Sequence, residues 1–142
     1  MLQEDYKWTL IFFALVTALV AVVTAIRAER FSREASSRLV LILLIMVSTN
    51  GLLHLWLSAS SFQTTNLFIS IIATGIVLSR REFWIIGVSF NWVGWIAIVS
   101  TQDMALTQHY FFAMVMSSLL SWFAHLARKN LVEIQQELQI ER

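Results

Sequence analysis

Few side chains in this 142-residue sequence can do chemistry. It contains no cysteine, so it has no thiolate ligand, no disulfide and no redox pair. The three histidines are His54, His109 and His125. His54 follows Asn50 by one helical turn. Paired across two helices, His54 and His109 are the weak candidates for holding a haem iron or a divalent metal. Neither an HxxxH spacing nor a third ligand accompanies them, so no metal and no cofactor is expected, with haem as the alternative. His125 is too far along the chain to share their site and reads as a boundary histidine. Asn91 lies between long apolar stretches, flanked by Trp92 and Trp95. Aromatic walls with one or two amides suit a small apolar or amphipathic ligand. Asn50, His54, Asn91, Trp92 and Trp95 are therefore the expected lining of a ligand cleft open at one end. The alternative for Asn91 is a hydrogen bond between the second and fourth helices. Catalysis has no support. The serines 117, 118 and 121 lack an adjacent acid, and no phosphate-binding glycine loop or basic nucleic-acid patch is present.

The surrounding composition says what must position these residues. The chain is 58% apolar and only 13% charged, against roughly 25% charged in soluble domains. All charges fall in 1–7, 27–38, 80–82, at Asp103 and in 128–142. Full charges are costly in hydrocarbon, so this distribution predicts an integral membrane protein. With no proline and four glycines, continuous helices are favoured over barrel strands. At about 20 residues per crossing, the uncharged stretches give five spans, at about 8–26, 39–57, 62–79, 83–100 and 108–127. The third is separated from the second by the polar segment SASSFQTTN, residues 58–66.

Orientation follows from the basic residues. Arg27, Arg30, Arg33, Arg38, Arg80, Arg81, Arg128 and Lys129 share one side of a five-span map, and only Lys7 lies near the other. The positive side is cytoplasmic, giving an N-out, C-in chain. Glu4 and Asp5 precede the first span and arginines follow it, so it reads as a retained anchor rather than a signal peptide. Trp8, Trp56 and Tyr110 fall at the expected outer interface, and Trp84 and Trp122 at the inner one. Small residues supply packing faces: Ala14, Ala18, Ala21 and Ala25 with Thr17 and Thr24, Gly87 with Gly94, and the three serines of span five.

The fold class expected is thus an all-α bundle of five transmembrane helices, residues 1–127, followed by a cytoplasmic helix, 128–142. No glycine or proline interrupts residues 107–142. In the tail, Ala124, Ala127, Leu131, Ile134 and Leu138 recur at the 3-4-3-4 spacing of a coiled-coil seam. One helix cannot bury such a stripe alone, so Leu131, Ile134 and Leu138 of this expected signal-transmitting helix should either meet a second copy, giving a homodimer, or lie against another domain. The alternative is a helix lying on the membrane surface, which wants basic residues that this tail lacks beyond Lys129.

The segment IVLSRREFWIIGVSFNWVGW (76–95), with its L-S-R-R turn and tryptophan–glycine–tryptophan run, leads through span five straight into a charged helical tail. This layout resembles the N-terminal multi-pass membrane sensor regions of bacterial signalling proteins, which precede diguanylate cyclase (GGDEF), histidine kinase or PAS domains. The resemblance implies a sensory input module in the bacterial inner membrane, with a cytoplasmic output domain as partner. No output-domain motif is present, so the chain itself is not expected to be an enzyme, and catalysis would lie beyond Arg142. A small haem-binding redox protein and an accessory membrane subunit are the competing expectations.

Overall fold

The computed structural model describes residues 2–27, 30–102 and 107–140; Met1, Asp103 and Arg142 among the charged and terminal positions above lie outside the described residues. Five α-helices follow one another: α1 Leu2–Arg27, α2 Arg33–Ser58, α3 Thr64–Val77, α4 Arg81–Thr101 and α5 Thr107–Ile140, with one 3₁₀ turn at Ser61–Gln63 before α3. No strand occurs among the described residues. The all-helical expectation therefore holds. Helices α1, α2, α4 and α5 are long and apolar enough to cross a membrane.

The third expected span does not reach that length. Expected over 62–79, it has an α-helix of 14 residues, or about 21 Å at 1.5 Å per residue, against a hydrocarbon thickness of about 30 Å. Local chemistry sets both ends. Ala59 takes a left-handed conformation, φ 49°, and closes α2. Leu78 is extended at the other end, its N–H still bonded to the Thr74 carbonyl.

Helix α3 is nevertheless the centre of the packing. It touches α2, α4 and α5. Its buried residues Leu67, Ser70, Ile71, Thr74 and Gly75 recur at helical spacing and form one face. Leu67 and Ile71 are fully enclosed, in a core with Leu52, Leu55, Met114 and Trp95. The Ser48 and Ser70 hydroxyls bond each other between α2 and α3. A β-carbon on Gly75 would collide with the Ser121 carbonyl of α5. Only glycine lets these two backbones come so close.

The contacts also give helix directions. Ser48 meets Ser70 and Gly51 meets Leu67, so α2 and α3 are antiparallel. Thr74 faces Gly87 while Thr64 faces Trp95, so α3 and α4 are antiparallel too. Phe68 packs on Tyr110 and Gly75 on Ser121, so α3 and α5 run parallel. Tyr110, expected at an interface, is buried by that contact. Helix α1 sits at the edge. It packs along α2, and Trp8, Phe12, Leu15, Leu19 and Ile26 are all largely exposed. Of its small-residue stripe, Ala14, Ala18 and Ala25 are also exposed. A helix apolar all round and uncovered by protein is what lipid-facing packing predicts.

Replacing Gly75 by leucine should force α3 and α5 apart and cost about 1–3 kcal/mol. Gly51→Ala is the control, because its β-carbon would meet the flexible Leu67 side chain at 3.3 Å. Thermal unfolding in detergent should show a clear fall in Tm for the first and little change for the second. Equal effects would mean that the α3–α5 approach is not a close one.

Candidate functional site

The five residues expected to share one cleft fall in two places. Asn50 and His54 line a cavity of about 700 Å³ between α1, α2 and α3. They are four residues apart on α2 and so lie on one face. Asn91, Trp92 and Trp95 are instead part of the packing of α4 against α3 and α5, and none of them lines that cavity. The division has a simple cause. Helices α3 and α5 occupy the side of α4 that carries the tryptophans, while Gly94 on another side takes the Leu52 side chain of α2.

Helix α4 is held by its indoles. Trp84 donates to the Ser121 hydroxyl at 3.0 Å, Trp92 to the Ser118 hydroxyl at 2.9 Å, and Trp95 to the Thr64 hydroxyl at 3.3 Å. An indole N–H in hydrocarbon needs an acceptor. Ser118 in turn donates to the Met114 carbonyl of its own helix, 2.9 Å away. These bonds account for Trp92 and Trp95, which the expected interfacial belt leaves unexplained. Asn91 is fully buried, but its amide donates to the Gly87 carbonyl within α4, at 2.9 Å. Its Oδ1 finds no partner among the described residues. Among the described residues its bond is local, and the interhelical bond considered for it does not form.

The cavity is differently built. Its polar lining comes from Tyr6 and Lys7 of α1, Asn50 and His54 of α2, and Asn66 of α3. Apolar walls come from Leu10, Ile11 and Ala14, with Val47 and Ile69 opposite. Asn66 bonds the Gln63 side chain at 3.1 Å. Asn50 Oδ1 and His54 Nδ1 are buried atoms with no partner among the described residues. No residue of α5 lines this space. His109 lies exposed at the start of α5, its ring edge-on to Tyr110 at 5.6 Å. The two histidines considered as a pair are thus not brought to one cavity. No cluster of three or more His, Asp or Glu side chains fit to hold a metal occurs among the described residues.

A second constellation was not foreseen. His125, read as a boundary residue, is buried, 3% exposed, and its Nδ1–H donates to the Leu78 carbonyl at 2.9 Å. Its ring stacks on Trp84 at 5.7 Å, and Trp84 packs on Trp122 at 5.0 Å. One turn on, Arg128 donates to the Ile76 carbonyl. Both carbonyls belong to the end of α3, where a helix leaves acceptors without partners and favours positive charge. Beyond Arg128 the described residues of α5, including Leu131, Ile134 and Leu138, are all exposed. A sequence signal existed: His125 and Ser121 lie one turn apart on the face that carries Ser117 and Met114.

Comparison with protein-family models, curated proteins and solved structures finds no match to any of them. The functional reading therefore rests on the cavity and on α5.

The Trp92–Ser118 bond should be measurable by a double-mutant cycle. Trp92→Phe and Ser118→Ala together should show a coupling of about 0.6 kcal/mol, and at most about 1.7, as for hydrogen bonds between helices in bilayers. Strictly additive losses of unfolding free energy would mean that the bond holds nothing.

Proposed function

We propose that the chain is a five-span input module of a bacterial inner membrane, N-out and C-in, that passes a signal through α5 to a cytoplasmic output domain. The observation that carries this reading is α5 itself. It runs 34 residues without a break, about 51 Å at 1.5 Å per residue, which exceeds the bilayer core by about 20 Å. Where it leaves the bundle it is tied to α3 by His125 and Arg128. A rod packed on the bundle up to Arg128 and exposed beyond it can transmit displacement.

The helix directions support five crossings. Arg27 ends α1, Arg80 and Arg81 follow α3, and Arg128, with Lys129 next to it in sequence, reaches the Ile76 carbonyl at the end of α3; by the positive-inside rule that end is cytoplasmic. The short α3 links the two ends with the help of the 3₁₀ turn, which adds about 6 Å, and a bilayer thins locally around a short span. The face formed by Leu131, Ile134 and Leu138 is uncovered by this chain. It would be buried by the same face of a second copy, giving a dimer through the tail. The output type, cyclic-dinucleotide synthesis or histidine kinase, follows from the resemblance of layout alone. The chain itself is assigned no catalysis and no cofactor.

The absence of cysteine makes two tests direct. In intact cells, Ser60→Cys should react with a membrane-impermeant maleimide from outside, and Ser79→Cys only after permeabilisation. Labelling of both from one side would remove α3 from the span count. Leu131→Cys, Ile134→Cys and Leu138→Cys should each cross-link to a dimer under oxidation, and Gln136→Cys much less. A pattern without that periodicity would sink the tail dimer.

A further inference from the structure

The cavity between α1, α2 and α3 is graded in polarity, and all three walls are graded the same way. On α1 the lining passes from Tyr6 and Lys7 to Leu10, Ile11 and then Ala14. On α2, which runs back, it passes from His54 and Asn50 to Val47, and on α3 from Asn66 to Ile69. The polar end of each wall is the end facing the proposed exterior. The span from Lys7 to Ala14 is seven residues, about 10 Å of depth. The volume, about 700 Å³, falls within the roughly 300–1,000 Å³ of small-molecule sites.

The cleft is open because α1 packs along α2 and makes no comparable contact with α3. Its α1 lining residues Ile11 and Ala14 are exposed, as are Val47 and Ile69 opposite, so the gap opens to lipid. Within it, Asn50 Oδ1 and His54 Nδ1 lack partners among the described residues. Buried polar atoms normally have them. Asn50 Oδ1 can only accept, so it calls for a hydroxyl or N–H on the occupant. Lys7 Nζ can only donate, so it calls for an acceptor oxygen on the same head.

We propose that this cleft binds a single-chain membrane amphiphile whose head carries both a hydroxyl or amide N–H donor and an acceptor oxygen. The head sits among Lys7, Asn50, His54 and Asn66, and the tail runs down the apolar walls beside Ala14, Val47 and Ile69. The inference rests on reading the chain as an input module, and it names the class of signal that module takes up.

The test compares 1-monodecanoylglycerol with methyl decanoate, which has the same tail and no donor, on the purified full chain in nanodiscs by native mass spectrometry. The wild-type chain should bind one copy of the monoacylglycerol about ten-fold or more tightly than the ester. Asn50→Leu and His54→Phe should each abolish that preference. Ala14→Phe, at an exposed lipid-facing position, should block both ligands. Equal binding of the two by the wild-type chain, no binding of either, or a preference that survives both α2 substitutions would overturn the proposal. The wild-type comparison needs no variant to fold. Binding is read without any output, so a failure here leaves transmission through α5 standing, and the cross-linking pattern of the tail judges that separately.

Discussion

A polar group carried into hydrocarbon finds no water to bond, so most of those on this chain are satisfied by the chain itself. That constraint shapes the bundle more than apolar burial does, because lipid solvates leucine as well as another helix would. The indoles of Trp84, Trp92 and Trp95 reach hydroxyls on α3 and α5. Ser118 also returns a hydrogen bond to the carbonyl four residues before it, as Ser117, Thr17, Thr49 and Thr74 do on their helices. A hydroxyl satisfied in this way becomes a fixed acceptor on a helix surface, and Ser118 is one on which α4 docks.

The same constraint explains why the shortest helix is the most enclosed. The end of α3 leaves carbonyls with no helical partner, and burying them bare would be expensive. His125 and Arg128 of α5 supply the donors. Parallel alignment of α3 and α5, tightened by Gly75, places those donors at the right height. Helix α5 is thereby positioned along its own axis at the point where it leaves the bundle. Side-chain packing alone would fix its distance from α3 but would resist sliding less.

Much of the fold could be read from the residues, and the gaps have physical causes. Charge marks where hydrocarbon ends, so α1, α2, α4 and α5 were located, while their ends, at Arg33 or Ile140 for instance, extend past the apolar stretches into the charged segments. The polar segment 58–66 was legible as a break, but how much of it α3 would recover was not. The faces were harder. A helix that is apolar on all sides gives no period from which its inward side can be read. Hence Asn50 and His54 could not be separated from Asn91, Trp92 and Trp95, and the partition between cavity and packing came only from the three-dimensional arrangement. His125 was missed for a related reason: a histidine near a membrane boundary looks solvated until a bare helix end is brought against it.

Within the proposed function, α3 is the element shared by the cavity and the tail. Asn66 and Ile69 line the cleft near its start, and the carbonyls of Ile76 and Leu78 hold α5 at its finish. The distance between Asn66 and Leu78 is twelve residues of nearly continuous helix, about 18 Å, too short and too tightly packed to absorb movement by bending. Helix α1, by contrast, packs along α2 and makes no comparable contact with α3. A ligand shifts an equilibrium only by as much as it prefers one state over the other. An occupant between α1 and α3 would meet that condition if the two states differ in the width of the cleft, and α3 would carry the difference to α5.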